Sequence, residues 1–448
     1  MGAFHAYDIR GIYNQDFTKE DVYKMGFFLP QLLNTDRILV GRDDRVSSPE
    51  IFENLTQGII DAGADVFDIG LSTTPMVYYA TSKYGFKASV QITASHNPKE
   101  YNGLKISREN ALPVGYDTGL KELEQLIKTQ QVKPAIIKGT VKKLNVKSDY
   151  ISFLARYHSD YSNLRIAADL SNGMAALLAK DVLGVDIHYI YDEMDGTFPN
   201  HEANPLIPEN IKDLQRLVLE KNCDIGLIFD GDGDRVMFVD EKGKFISPDL
   251  MIAVLGHYFF EEKGLKGTVL QDIRSSKAVG EYLAKNWGAE VYTWRVGRAF
   301  AAPKLREING LYGGELAGHY YFRDFSYSDS GFMACLIILG IVARMRTNGI
   351  ALSELIASIS PYKNSGELNY RIEDKAGAME AVCSYFTSAE KPTAQLDFDG
   401  YRIEFPDWWF NIRPSNTEPY LRFIAEAKTD EMLAEKVAKV NEILAKFS

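Results

Sequence analysis

Ala88-Ser89-Val90-Gln91-Ile92 runs directly into Thr93-Ala94-Ser95-His96-Asn97-Pro98. The first five residues read as a strand, and the run stops abruptly at small and turn-forming residues. Pro98 keeps Asn97 out of helical geometry, so the loop is read as extended. Tyr101-Asn102-Gly103-Leu104-Lys105 then reads as a turn that brings a cation close to the serine. A serine at a strand end, beside His96 and Lys105, is a candidate nucleophile or phosphoryl carrier. The competing reading is an Asn-Pro turn with a capping serine. The rest of the chain decides between them.

Upstream, Asp8-Ile9-Arg10-Gly11 opens the chain. A helix is predicted over about 18–33, with Thr18 as a good N-cap. A strand at Arg37-Ile38-Leu39-Val40 follows, then the polar turn Gly41-Arg42-Asp43-Asp44-Arg45, a helix from about Pro49 and a short strand at 65–69. The plan recurs with a strand at 164–168, a turn at 169–173, a helix from Met174 and a second strand at 185–190. A helix near 209–221 precedes the strand 224–229, which enters Asp230-Gly231-Asp232-Gly233-Asp234-Arg235. The third round has strands at 268–271 and 290–294, a turn at Asp272-Ile273-Arg274-Ser275-Ser276 and a helix near 299–307. It ends at Leu311-Tyr312 and Gly313-Gly314-Glu315-Leu316-Ala317-Gly318-His319.

Alternating strands and helices predict α/β units with largely parallel sheets. In such sheets ligands bind beyond the carboxyl ends of strands. Ser95, Asp230 and Glu315 therefore occupy corresponding loops of three repeats. Polar breaks place the domains at 1–141, 142–245 and 246–361, followed by 362–448. The last part is not a fourth copy. Its short strands and two helices predict a smaller α+β domain with an antiparallel sheet.

The chain has 448 residues, 46% hydrophobic and 25% charged, which is ordinary globular composition. Net charge is −11, and no basic stripe appears, which argues against a nucleic-acid partner. A phosphorylated substrate would need a local cluster of Arg and Lys, drawn from distant stretches, within that repulsive field. Cys223, Cys335 and Cys383 are far apart and form no CxxC, as expected of buried thiols in a reducing compartment. No signal pattern opens the sequence, and the longest apolar run, 332–343, is shorter than a membrane span. The expectation is a cytoplasmic protein with no membrane partner and a buried helix at that run.

Asp230, Asp232 and Asp234 alternate with glycines, and in an extended loop alternate side chains share a face. Hard oxygen ligands at this density suit Mg²⁺. The later ligand positions of an EF-hand are missing. Arg235 can reach a phosphoryl group held there. Arg413-Pro414-Ser415-Asn416-Thr417-Glu418-Pro419 offers a guanidinium, two hydroxyls, an amide and backbone N–H groups in one turn, which suits a phosphate. The alternative is a Pro-bounded turn with local side-chain bonds. Glu315 and His319 offer a carboxylate and an imidazole on a flexible strip, which by itself is a weak signal.

Together, in this order, TASHNP, DGDGDR, GELAGH and RPSNTEP resemble the α-D-phosphohexomutases, and within them the phosphomannomutase/phosphoglucomutase group. The resemblance spans essentially the whole chain, including Tyr7-Asp8-Ile9-Arg10-Gly11 and Gly41-Arg42-Asp43. It implies three related mixed α/β sheet domains around a central cleft plus a smaller C-terminal α+β domain. It implies a phosphoserine at Ser95, Mg²⁺ on Asp230, Asp232, Asp234 and that phosphoserine, and glucose 1,6-bisphosphate or mannose 1,6-bisphosphate as activator. Arg413, Ser415, Asn416 and Thr417 would hold the non-reacting phosphate, and Glu315 the sugar hydroxyls. Lys105, Arg10, His319 and Arg235 are the catalytic candidates, and His96 would hold the loop. Arg274 and Arg298 are further candidate substrate contacts. The partner implied is a small hexose phosphate, met by a monomer or dimer.

The chain departs from the family pattern in places. Ala317 stands where the family usually has Ser, which removes one hydroxyl contact. Arg298 stands where related enzymes often have His, which suggests a second phosphate contact. Leu316 and the run Tyr320-Tyr321-Phe322-Arg323-Asp324-Phe325 favour mannose and glucose over glucosamine phosphates. The alternatives are a phosphoglucosamine mutase, a Mg²⁺-dependent phosphohydrolase with an aspartyl nucleophile, and a non-catalytic sugar-phosphate binder. The hydrolase reading rests on Phe229-Asp230-Gly231-Asp232-Gly233, but it needs Thr or Val soon after the second Asp and leaves Ser95 without a role.

Overall fold

The computed structural model describes residues 2–415 and 420–447. The first sheet contains β1 (Ile9–Ile12), β2 (Arg37–Arg42), β3 (Asp65–Leu71), β4 (Ala88–Ile92), β5 (Tyr101–Arg108) and β6 (Val141–Lys143), in the order β1-β5-β4-β2-β3-β6. Strands β4, β2, β3 and β6 are parallel, while β5 returns antiparallel against β4. The second sheet contains β7 (Ile166–Asp169), β8 (His188–Ile190), β9 (Ile225–Phe229), β10 (Val236–Asp240) and β11 (Phe245–Ile246), in the order β11-β10-β9-β7-β8. The third contains β12 (Val269–Asp272), β13 (Val291–Trp294), β14 (Tyr312–Gly314), β15 (Tyr320–Phe322) and β16 (Ser328–Asp329), in the order β13-β12-β14-β15-β16.

One plan underlies all three. A central strand (β2, β7, β12) has a parallel neighbour on each side, and the later of these (β4, β9, β14) turns back into an antiparallel strand (β5, β10, β15). Ser95, Asp230 and Glu315 lie in that same hairpin connection of each sheet. The stretch expected as a turn, Tyr101 to Lys105, is instead the start of β5. Gly103 is there because β1 passes close by: a Cβ would lie 2.1 Å from the Ile9 carbonyl oxygen. The second strand expected at 185–190 is only His188–Ile190.

The fourth sheet is antiparallel throughout. It contains β17 (Lys363–Asn364), β18 (Leu368–Arg371), β19 (Ala394–Leu396), β20 (Tyr401–Glu404), β21 (Trp408–Pro414) and β22 (Tyr420–Ala427). It is fixed to the third domain by polar groups buried between them. Arg402 Nη1 donates to the carbonyls of Ile273 and Ser275, at 2.8 and 2.5 Å. Lys277 Nζ donates to the Phe405 carbonyl at 2.9 Å. A buried cation so satisfied sets one orientation, because displacing it would leave donors unpaired in low dielectric.

Local chemistry explains the elements. Helix α1 (Lys19–Leu33) starts at a capping box: the Thr18 hydroxyl accepts from the Asp21 N–H, and the Asp21 carboxylate accepts from the Thr18 N–H. Such a cap contributes about 1 kcal/mol. It packs on α2 (Ser48–Asp61) with backbone nearly touching backbone. A Cβ on Gly58 would lie 2.0 Å from the Tyr23 carbonyl oxygen, and one on Gly26 would lie 2.1 Å from that of Leu55. Gly58→Ala is therefore expected to force the helices apart and cost about 3 kcal/mol, read as a lower urea midpoint of the first unfolding transition. An unchanged midpoint would show that the helices can separate freely. The apolar run after Ser330 is the buried helix Gly331–Thr347. No single helix among the described residues is long and apolar enough to cross a membrane.

Candidate active site

Ser95 is 3% exposed and has φ 52°, the left-handed region, so the loop is not extended as expected. Its hydroxyl donates to Asp230 Oδ2 at 2.9 Å and lies 3.2 Å from His96 Nδ1. Two domains thus meet at the serine oxygen. The fit is close, since a Cβ on Gly231 would lie 2.4 Å from the Ser95 carbonyl oxygen. Burial, together with Arg235, Arg10, Lys105 and His319, pushes the His96 pKa well below the ordinary histidine value.

Asp230, Asp232 and Asp234 converge, each offering an oxygen within 4.8 Å of the others. They do so through a turn, not an extended face. The Gly233 N–H donates to the Asp230 carbonyl at 3.2 Å, and Gly233 has φ 71°. Cations from two domains compensate the carboxylates. Lys105 Nζ donates to Asp232 Oδ2 at 2.6 Å and Asp234 Oδ2 at 2.5 Å. Arg235 Nε donates to Asp230 Oδ2 at 2.9 Å. Burial alone would depress the Lys105 pKa, but Asp232 and Asp234 raise it well above the usual lysine value. Burial and the neighbouring Asp232 push Asp234 up to about 7.

Asp232 Oδ1 and Asp234 Oδ1 are buried with no hydrogen-bond partner among the described residues. Two orphaned carboxylate oxygens facing one cluster cost free energy in the absence of a cation. An all-oxygen donor set fits a hard divalent ion. Thr74, at the start of α3 (Thr74–Lys83), fixes the loop from the first domain: its N–H donates to the Asp232 carbonyl at 2.9 Å, and its hydroxyl bonds the Asp232 carboxylate.

The third hairpin is zipped to the second by a backbone bridge between Arg235 and His319. Glu315 is buried, and its Oε1 accepts from the Tyr321 hydroxyl at 2.6 Å and the Gly297 N–H at 3.2 Å. Burial raises its pKa. Ala317 contributes its carbonyl, 3.5 Å from Arg235 Nη1. His319 Nδ1 bonds Asp329 Oδ2 at 2.6 Å. Burial would lower the His319 pKa, but Asp234 and Asp329 raise it to about 9.

Arg10 donates to Asn97 Oδ1 at 2.8 Å and pairs with Asp8. Arg10, Lys105, Arg235 and His319 thus gather around the serine loop, the basic cluster that an anionic substrate requires. Three other arginines are paired with carboxylates. Arg298 is held by neighbours from two domains. Its Nε reaches Asp329 at 3.2 Å, its Nη2 donates to the Ala111 carbonyl at 2.6 Å, and its guanidinium lies 3.7 Å from the Tyr78 ring centre. Arg274 is buried on Asp272 at 2.7 Å, with Glu315 at 4.0 Å and Glu367 at 3.9 Å. Arg413 is held by Asp399 at 3.2 Å. In each case a carboxylate outcompetes water for a buried guanidinium, from two residues away for Arg274 and from another strand or loop for Arg298 and Arg413. Ser415 follows β21, and the expected phosphate contacts Asn416 and Thr417 lie outside the described residues.

Sequence reasoning missed Thr74, Asp329 and Asp399. Asp329 left one signal, a carboxylate just before a helix that is apolar as far as Ala343, where a buried charge requires a partner.

A repeated hairpin that brings a serine, a carboxylate cluster and a glutamate to one centre is the plan of a phosphohexomutase. Four domain families match in sequence order: phosphoglucomutase/phosphomannomutase alpha/beta/alpha domain I at 1–133, domain II at 148–243, domain III at 247–362 and the C-terminal domain at 367–443. The chain belongs to the phosphoglucomutase/phosphomannomutase family, whose members are isomerases. It is 35% identical over 462 residues to a phosphomannomutase of Escherichia coli, covering 99% of both chains. It is 34% identical over 454 residues to a phosphomannomutase of Methanocaldococcus jannaschii, covering 99% of this chain and 98% of that one. A solved family member from Burkholderia thailandensis superposes with a TM-score of 0.86 at 26% identity, covering 99% of this chain and 97% of that one.

Proposed function

We propose that the chain interconverts the 1- and 6-phosphates of mannose and glucose, with phosphorylated Ser95 as donor and a 1,6-bisphosphate as bound intermediate. The observation that carries this reading is the Ser95 hydroxyl, donated to Asp230 at 2.9 Å within the basic cluster. In the first step the Ser95 Oγ–P bond breaks and a bond forms from phosphorus to the free sugar hydroxyl. That hydroxyl loses its proton as the new bond forms, and Ser95 Oγ, leaving phosphorus in the same step, takes one up. The second step reverses this at the other sugar position, returning a phosphoryl group to Ser95.

Lys105, Arg10 and Arg235 stabilise charge on the transferring group, as phosphoryl transfer demands. His319, held by Asp329 through Nδ1, moves the proton. Glu315 accepts from sugar hydroxyls, and Arg413 leaves Asp399 for the non-reacting phosphate. Asp230, Asp232 and Asp234 would hold Mg²⁺ with the phosphoserine. When bound, the ion would neutralise charge on phosphoryl oxygens.

The test is a coupled assay with Mg²⁺ and catalytic glucose 1,6-bisphosphate on mannose 1-phosphate, glucose 1-phosphate and glucosamine 1-phosphate. Similar kcat/KM for mannose and glucose, with glucosamine well below, is expected. Preference for glucosamine would overturn the substrate assignment, and inertness on all three would overturn the reaction.

A further inference from the structure

Arg45 lies outside every group assigned above, yet it is 1% exposed and its guanidinium makes four donations to a single loop. Nη1 donates to the carbonyls of Pro98 at 2.7 Å and Tyr101 at 3.0 Å. Nη2 donates to those of Ser95 at 2.8 Å and Asn97 at 2.7 Å. Nε lies 3.2 Å from Asp43 Oδ2. Asp43 is itself fixed by the Ser48 hydroxyl and by the Arg45 N–H.

The second domain closes over this grip. The Phe198 ring centre lies 5.0 Å from the guanidinium carbon. Gly196 packs so tightly that a Cβ there would lie 2.2 Å from the Asp44 carbonyl oxygen and 2.5 Å from Arg45 Cα. The loop needs such a grip. Ser95 has φ 52°, which an L-residue with a side chain adopts reluctantly. A strained residue of this kind persists only where its surroundings over-determine it. A planar fork with several donors suits four carbonyls; an ammonium, a point charge with three donors, does not reproduce it.

We propose that Arg45 is the positioning residue of the phosphoryl carrier: its grip on four loop carbonyls holds Ser95 in the left-handed conformation that aims Oγ at Asp230, and the 196–198 segment of the second domain keeps that grip in register. This rests on the mutase reading above. Arg45 touches neither substrate nor metal in that scheme, and it acts through the loop it carries. Misplacing a reacting oxygen by about 1 Å costs about 100-fold in rate.

The test compares wild type, Arg45→Lys and Phe198→Leu. The single-turnover rate of phosphoryl transfer from phosphorylated enzyme to sugar phosphate is measured, alongside KM and amide hydrogen exchange of the 93–101 peptide. Arg45→Lys is expected to slow transfer about 100-fold, leave KM within about threefold and speed exchange at 93–101 by about tenfold or more. Phe198→Leu is expected to slow transfer about fivefold. A merely structural role would reduce the amount of active enzyme without changing the rate per phosphorylated molecule. A wild-type transfer rate in Arg45→Lys overturns the proposal. If that variant does not fold, Phe198→Leu decides by the same rate. If the wild type is inert on every hexose phosphate, the mutase reading falls, and exchange at 93–101 alone confirms or overturns the grip.

Discussion

Ser95→Ala is expected to lower mutase turnover by about 10⁴-fold or more while leaving the fold intact. The serine oxygen is the only atom in the proposed cycle that carries a phosphoryl group between steps, so no neighbour can replace it. Asp230 is poorly placed to serve as an alternative nucleophile. Its Oδ1 accepts from the N–H groups of Gly233 and Arg235, and its Oδ2 accepts from Ser95 and from Arg235 Nε. A carboxylate engaged on both oxygens is a weak nucleophile. Removing the hydroxyl costs little stability, because Arg235 still satisfies Asp230, and a single hydrogen bond contributes about 1 kcal/mol net. The check is the coupled assay together with isolation of the phosphopeptide after incubation with a hexose bisphosphate. Label on a Ser95 peptide that resists hydroxylamine supports the carrier role. Retention of more than about 1% of turnover, or hydroxylamine-labile label, would move the chemistry to an aspartate.

The periodic features of this chain were legible in its sequence. The strands ending at Ile92 and Phe229 announce themselves by composition, and the loops after them carry the chemistry; the third, read at Leu311-Tyr312, is β14, whose Gly313-Gly314 had the composition of a loop. The return strands were harder to read. Asn102-Gly103 has the composition of a hairpin turn, yet it lies inside β5, where the missing side chain admits the Ile9 carbonyl. Hydrophobic period reports which face of an element is buried but not which residue it meets. The pairings Arg413–Asp399, His319–Asp329 and Arg298–Asp329 were therefore invisible, although Arg413, His319 and Arg298 were singled out. Their partners come from other strands and loops, and burial selects them through the cost of an unpaired charge.

Removing divalent metal is expected to lower turnover by about 10³-fold, with recovery on adding Mg²⁺. The argument is electrostatic. With Ser95 unmodified, the three carboxylates face Lys105 and Arg235, with His319 3.8 Å from Asp234, so the cluster is close to balanced. A phosphoserine adds a charge of about −1.5 to −2 to a loop already in contact with Asp230. The cations in place are committed to the carboxylates, while Asp232 Oδ1 and Asp234 Oδ1 stand without donors. The phosphorylated enzyme should therefore bind Mg²⁺ more tightly than the unphosphorylated one. At 100 times its dissociation constant, a ligand specific to the folded state raises stability by about 2.7 kcal/mol, which a thermal melt detects. Asp232→Asn should abolish that rise and bring turnover to the chelated level, since the amide removes one negative ligand and leaves Lys105 facing a single carboxylate. Isothermal titration of both phosphorylation states with Mg²⁺ measures the difference directly. Equal affinities, or a chelated wild type that still turns over at full rate, would mean that the carboxylates serve only to hold Lys105 in place.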